Sequence, residues 1–455
     1  MGGFYFVFRV KHSSGSTKPH HTMLKTILRA HYSTLLVITV IGFFLAACGQ
    51  KGDETANNQS AETSDNRNLT QSSESQQPTP EQPETITLQF ERERSFGSTE
   101  DLLLGEMGPF AVGPNGEVFL SDSDQSTVHA FQSDGSYIKS LGRQGRGPGE
   151  FMMIYGYTTI TTHGNRLYVT DLAGMTNLFP YRMHMFSLDD LSFIKTIDLL
   201  AENRSEFEEL SGHYSRNLFP LNNGTFLVSY HRSPNEYQEQ DSFIKYVIQD
   251  SVANIISDPF LKQKDRKQLS TEIKSVYRGR INDYIAITSF PFFGKSILEV
   301  SGDDTIYAVN HTEKFKIDVY SIEADIVRTI NHDYNNVPFN EENVIDRYER
   351  TNYKEELGDG AVAKMIEEAE QLPTHWPAIQ EMLIDSDNRL WVSTIVEDFD
   401  IYEWWVLEPS GELITRFEWP RDEPIEVIKN GKMYTRQTDE ETGLERVVRY
   451  SIEIS

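Results

Sequence analysis

From residue 85 onward the chain is a succession of short apolar or alternating runs separated by Gly, Asn, Asp and Pro. Period-2 alternation of this length predicts β-strands. The runs recur as one unit: apolar run, tight turn, apolar-aromatic run, loop, apolar run, tight turn, apolar run. The first unit is FAVGPNGEVFLSDSDQSTVHAFQSDGSYIKSLG, residues 110 to 142, with tight turns at Pro114-Asn115-Gly116 and Ser133-Asp134-Gly135. The second pairs ITTHGNRLYVTD with MHMFSLDDLSFIKTIDL, and the third pairs LFPLNNGTFLVSY with SFIKYVIQDSVANII. The fourth is SILEVSGDDTIYAVN with FKIDVYSIEADIVRTI, and the fifth EMLIDSDNRLWVST with YEWWVLEPSGELITRFEW. The sixth, IEVIKNGKMYTR with ERVVRYSIEI, has only three strands.

The missing strand is available in 85-TITLQFE-91, which stands alone before the first unit. Pairing it with the last strand closes a ring and removes two sheet edges that would otherwise template association. The pattern therefore predicts an all-β, six-bladed β-propeller of four-stranded antiparallel blades over residues 85–455. A two-sheet sandwich would need neither the sixfold recurrence nor the lone first strand.

In such a blade the strands A to D alternate in direction, so A-to-B and C-to-D turns share one face, and B-to-C loops and D-to-A crossings share the other. The first group is uniformly short and rich in Gly, Asn and Asp, as in His163-Gly164-Asn165 and Lys429-Asn430-Gly431. These residues accept positive φ or bond their own backbone. The length goes to the second group: crossings near 142–157, 199–216, 258–295 and 332–378, and B-to-C loops at 171–182 and 231–241. Connections this long are functional or disordered as a rule, so their face is the expected working face. The longest crossing predicts a helical insertion at about 340–372. Asn340 is placed to cap a helix over 341–356, and a second, 361–372, ends at Pro373. The pair would either lie over the channel mouth or buttress the fifth blade.

Before the repeats, two segments have other patterns. Residues 49–84 are almost all Gln, Ser, Thr, Asn, Glu and Pro, too poor in large apolar side chains to offset chain entropy; with Cys48 they make a 48–84 polar tether. Residues 23–48 give a basic start with Lys25 and Arg29, an apolar run from Leu35 to Leu45 and small residues before Cys48. That is the layout of a secretory signal, and the run is short for a membrane span. Met23 offers an alternative start to an extension within 1–47. The ending Leu45-Ala46-Ala47-Cys48 resembles the lipobox of bacterial lipoproteins, which implies cleavage before Cys48, a lipid on its thiol and export to the cell envelope. Gly49 is consistent with an outer-membrane address. The chain carries a net charge of -27 and a single cysteine. One cysteine excludes a disulfide framework or a cysteine metal cluster, and the acidity disfavours nucleic acid or an anionic bilayer as partner, so membrane contact is expected through the lipid alone, and a monomer is expected.

The stretch from Phe110 to Phe151, ending SLGRQGRGPGEF, resembles an NHL repeat with its closing glycine-rich segment. With the lipobox, the tether and Asn388-Arg389-Leu390-Trp391-Val392, the chain is similar to the six-bladed β-propeller lipoproteins of Bacteroidetes-type bacteria. The glycine-rich segment lacks the Gly-Lys-Ser/Thr of a phosphate-binding loop, so it reads as scaffold that turns the chain between blades.

Candidate chemistry sits on the long loops. Arg143, Arg146, Tyr155, Tyr157, Tyr181, Arg182, His184, His213, Arg216, His231, Arg278, Arg280, Phe292, Phe293, His375 and Trp376 bring cations and rings to the expected working face. Convergent guanidinium forks and rings suit a small anionic or carbohydrate-like ligand, or an envelope protein. The competing reading is that these arginines pair with the surplus carboxylates. Some six-bladed propellers are calcium-dependent lactonases or hydrolases, and that resemblance implies Asn, Asp and Glu from several blades meeting a cation in the channel. Here only Asn217, Gln380, Glu381 and Glu426 stand near the expected starts of A strands. No Gly-x-Ser-x-Gly or His-Glu-x-x-His occurs. Asp122 and Asp171 read as strand-end caps. The expectation is a binding module without catalysis and without a cofactor, the alternative a calcium-dependent propeller enzyme of the lactonase, hydrolase or lyase type.

Overall fold

The computed structural model describes residues 87–99, 102–155, 158–174, 177–232, 243–265, 269–277, 280–288, 290, 292–323, 325–349, 360–369, 371–439 and 441–454. Strand β1, Leu88–Phe96, comes first and belongs to the last blade. Blade one is β2 (Met107–Val112), β3 (Val118–Asp122), β4 (Thr127–Phe131) and β5 (Tyr137–Leu141). Blade two is β6 (Ile160–His163), β7 (Arg166–Gly174), β8 (Asn177–Ser187) and β9 (Phe193–Asp198). Blade three is β10 (His213–Pro220), β11 (Phe226–Arg232), β12 (Phe243–Gln249) and β13 (Leu261–Lys264). A two-stranded hairpin follows, β14 (Leu269–Tyr277) with β15 (Arg280–Thr288). Blade four is β16 (Ile297–Val300), β17 (Ile306–Val309), β18 (Lys316–Tyr320) and β19 (Ile326–Asn331). Blade five is β20 (Glu381–Ile384), β21 (Leu390–Ile395), β22 (Ile401–Leu407) and β23 (Leu413–Pro420). Blade six is β24 (Ile425–Lys429), β25 (Lys432–Thr438) and β26 (Glu445–Ile454), completed by β1, which pairs antiparallel with β26 from Leu88↔Ile454 to Phe96↔Val447. The six-bladed propeller and its closure by the N-terminal strand stand as the pattern predicted.

Four details differ from the expected elements: the second helix of the insertion spans Ala361–Glu367 and does not run on to Leu372, and the other three concern strands. The outer strand of blade three is Leu261–Lys264, while 251–256 gives only the isolated bridge Gln249↔Ile255. The side chain of Asn203 donates to Ile255 O and accepts from Ile255 N, at 2.9 and 3.0 Å, and so ties that segment to the preceding crossing. Second, the loop expected at 171–182 is instead a prolongation of β7 and β8, paired as far as Gly174↔Asn177. Third, the crossing expected at 258–295 contains the β14–β15 hairpin, in unbroken register from Leu269↔Thr288 to Tyr277↔Arg280.

The cores lie between blades, where side chains of one sheet meet those of the next; Val128, Leu141 and Phe151 of blade one and its crossing pack with Val169 and Phe186 of blade two. A further apolar cluster lies outside the blades. Helices Glu341–Glu349 and Ala361–Glu367 place Val344, Met365 and Ile366 against Phe290, Phe292, Trp376 and Ile395. Asn340 Oδ1 accepts from Glu342 N at 2.9 Å and caps the first helix. The second helix also touches β14, so the crossings before and after blade four join into one cap. Ile395, Phe399 and Tyr402 anchor it to blade five. Among the described residues no helix is long and apolar enough to cross a membrane.

The turn face is closed by hydrogen bonds linking neighbouring A-to-B turns. Asn222 N donates to Asp304, and its Nδ2 to Gly302 O at 2.9 Å. Gly302 N donates to Asn388 Oδ1 at 3.0 Å, Asn430 N to Ser386 Oγ at 3.0 Å, and Asn430 Nδ2 to Pro114 O at 2.7 Å. Lys429 Nζ donates to Val112 O and to Thr162 Oγ1, both at 2.9 Å, and His163 beside Asn222 completes the circuit. Asp304, Asn388 and Asn430 hold positive φ, which their short polar side chains tolerate.

The glycine-rich crossing is scaffold held by its own backbone. Phe151 N donates to Arg143 O and Gly145 N to Phe151 O, both at 2.9 Å, and the Phe151 ring is fully buried against His184 and Phe186. Gly142 has φ of 67°, and a Cβ there would lie 2.7 Å from Phe151 Cδ2 and 2.8 Å from Gly149 O. Gly142→Ala is therefore expected to cost about 2–4 kcal/mol, from left-handed backbone strain plus overpacking. The fall in the urea midpoint measures it; an unchanged midpoint would refute the close approach.

Candidate functional site on the crossing face

At the crossing-face end of blades one and two an Asp–His–hydroxyl polar chain runs across strands B, C and D. In blade one Asp122 is fully buried, accepts Gly105 N and Gln125 N at 2.9 Å each, and lies 3.7 Å from His129 Nε2. His129 Nδ1 is 2.9 Å from Ser140 Oγ. In blade two Asp171 accepts Met152 N at 2.7 Å and lies 3.5 Å from His184 Nε2, while His184 Nδ1 is 3.0 Å from Thr196 Oγ1. Blade four uses the same places differently: Asp318 accepts from Asn310 Nδ2 at 2.9 Å and from Thr329 Oγ1 at 2.7 Å. Burial by itself would raise the Asp122 and Asp171 carboxyls; the nearby imidazoles, the backbone N–H bonds and, at Asp171, the Arg182 bond outweigh it and hold both below the usual carboxylate range. Each aspartate thus fastens its blade to the incoming crossing.

The sequence candidates separate on this framework. Arg182 Nη2 donates to Asp171 at 2.6 Å and to Glu150 O at 3.1 Å, and its Nη1 to Arg146 O at 3.2 Å. It clamps the glycine-rich crossing, and buried His184 belongs to the polar chain. Arg143 pairs with Glu150 at 2.7 Å although its side chain is 81% exposed. Arg146 is exposed, as is Tyr155. Phe292, Phe293 and Trp376 are buried in the cap core. His375 is exposed beside Thr374, within the Pro338↔His375 bridge. His213 and His231 are buried in blade three near half-buried Arg216. Arg280 begins β15, with a side chain outside the described set, as is that of Tyr181. Cys48, Tyr157 and Arg278 lie outside the described residues. Half-buried Arg182 and buried His184 and Trp376 therefore serve the scaffold, and of the arginine candidates with described side chains Arg143 and Arg146 remain exposed, both on the glycine-rich crossing.

Two features were missed in the sequence. Glu299, third in β16 and opposite Tyr307, is a partly buried carboxyl whose pKa is pushed up to about 8 by burial. Its signal was an ionisable residue inside the apolar run Ile297-Leu298-Glu299-Val300. Arg436, in β25, reaches from blade six to blade one. Its Nη1 and Nη2 donate to Met107 O and Gly108 O at 2.9 Å each, and its Nε to Glu426 at 2.7 Å. Beside it a cavity of about 290 Å³ opens between Ser98, Leu104, Glu106, Met107, Leu444 and Glu445. Among the described residues no three His, Cys, Asp or Glu side chains stand as a metal-binding group.

Residues 98–292 match the model of the DUF5128 family, described as a 6-bladed beta-propeller. Solved structures with a similar course of chain include a putative exported protein from Bacteroides fragilis, at 12% identity, covering 81% of this chain and 95% of that one with a TM-score of 0.43. A member of the duf4221 family from Bacteroides vulgatus gives 10% identity, 81% and 98% coverage and a TM-score of 0.42. Virginiamycin B lyase from Staphylococcus aureus gives 10%, 80% and 99%, and 0.35. No curated protein matches the chain.

Proposed function

We propose that this propeller is an exported, lipid-anchored module of the cell envelope that binds a small anionic or carbohydrate-like ligand, or an envelope protein, on its crossing face, without catalysis. The observation that carries the reading is the asymmetry of the two faces. One is sealed by short turns bonded to one another around the ring. The other carries the helix–hairpin cap, the long crossings and a polar cavity. Elaborated loops on a rigid scaffold are where binding residues collect. The lipobox-like Leu45-Ala46-Ala47-Cys48 supports the envelope address.

The test uses the purified full-length protein and bulky maleimides. Exposed Glu441, on the crossing face, and exposed Glu323, in a turn of blade four, are each replaced by cysteine, with unmodified protein controlling for label at Cys48. Label at 441 is expected to reduce binding to immobilised envelope material severalfold and label at 323 to leave it intact. The reverse pattern, or no binding at all, would sink the reading. Stoichiometric calcium in protein purified without chelator would replace it with the metal-dependent alternative.

A further inference from the structure

Blade three gathers positive charge at its crossing-face end, in a chain whose net charge is -27. Lys245 on β12 stands directly opposite Lys262 on β13 and is next in register to Tyr230. Like charges directly opposed across a ladder destabilise a sheet, and the Lys245 side chain is only 13% exposed. Arg232 closes β11, level with His213, and is exposed. Lys262 is exposed too, its ammonium held 4.1 Å over the Phe243 ring. Among the described residues counter-charge is thin. Lys245 lies 3.8 Å from Glu209, itself largely exposed, and donates to the Glu209 carbonyl; Asp265 lies 3.9 Å from His231. Among the described residues the Arg232 side chain makes no hydrogen bond or ion pair.

The fold does not need this arrangement. Several arginines elsewhere among the described residues take carboxylate partners, as Arg182 does with Asp171 and Arg449 with Glu93. Burial and then the nearby Lys262 and Arg232 charges pull the Lys245 ammonium below its ordinary pKa, against the opposing pull of Glu209. An anion seated between the three cations would relieve that repulsion and gain charge-assisted hydrogen bonds. On an acidic surface such a patch also draws the anion in selectively.

We propose that Arg232, Lys245 and Lys262 form a binding site for an oxyanion, a phosphate or carboxylate group carried on a small molecule or glycan. The site deepens the proposed binding role of the crossing face and rests on it.

Calorimetric titration of the full-length protein in detergent with inorganic phosphate, glucose 6-phosphate, glucuronate and glucose tests it. The acids are expected to bind, more weakly as salt rises, and glucose is not. Tighter binding of glucose 6-phosphate assigns a phosphate source, tighter binding of glucuronate a sugar acid. Arg232→Gln with Lys262→Gln is expected to weaken the acids at least tenfold while the Tm of the unliganded protein does not fall. Absence of binding by every acid, an unchanged affinity in the double variant, or a Tm loss of several degrees that marks the cations as structural would each overturn the site. If the acids fail while label at 441 still blocks envelope binding, the site falls alone; if both fail, the binding role of the face falls with it.

Discussion

Arg436→Met is expected to destabilise the protein by about 3–5 kcal/mol, the usual cost of removing one partner from a buried ionic network. Arg436 is nearly buried, with 8% of its side chain exposed, and bonds Glu426, Glu445 and two carbonyls of β2. Its removal strands two carboxylates and two main-chain acceptors at the seam between the last blade and the first. That seam also carries the closure by β1, so the loss falls where the ring is joined. Arg436→Lys is expected to keep most of the defect, because a point charge cannot supply the planar fork that serves four acceptors. Adding Glu426→Gln to Arg436→Met is expected to restore part of the stability. Urea unfolding of the four proteins measures this; a loss below about 1 kcal/mol for Arg436→Met would show that the network contributes little.

Glu299 should make stability fall as pH rises. Burial lifts its folded pKa to about 8 from an ordinary 4.5, so the folded state binds this proton more tightly than the unfolded chain. The stabilisation is complete below about pH 4.5 and is lost as pH climbs toward 8, by at most ~1.4 kcal/mol per unit. His163, His213 and His231 act oppositely: burial lowers their pKa values, so their contribution is present above the ordinary 6.5 and lost on acidification. Between 6.5 and 8 the Glu299 slope stands clear of them. Glu299→Gln, isosteric and uncharged, is expected to flatten that slope and to raise the melting temperature at pH 8 by several degrees relative to the parent. Parallel slopes for the two proteins would place the Glu299 carboxyl in water.

The architecture was legible because it rests on local rules. Alternation marks strands, and residues that accept positive φ, such as Gly116, Asp304 and Asn388, mark the turns. The lone strand 85–91 announced closure because a propeller leaves one blade a strand short. The cap of the first helix at Asn340 was equally local. The β14–β15 hairpin escaped because its alternation lies inside a crossing, between two complete blades, where the repeat assigns no strand. The outer strand of blade three escaped because Asn203, 52 positions away from Ile255, draws that segment out of the sheet.

Side-chain roles followed a different logic. Periodicity and backbone preference over neighbouring residues were enough to specify the six blades, the closing strand and the division into a face of tight turns and a face of long crossings. That Arg182 and His184 are fasteners, that Trp376 fills the cap, that Arg436 ties two blades, that Glu299 is buried and that Lys245 confronts Lys262 emerged from the packing of blades against one another. Whether a charged side chain is solvated, paired or stranded depends on groups brought together across blades, and the chain's local pattern carries no record of that distance.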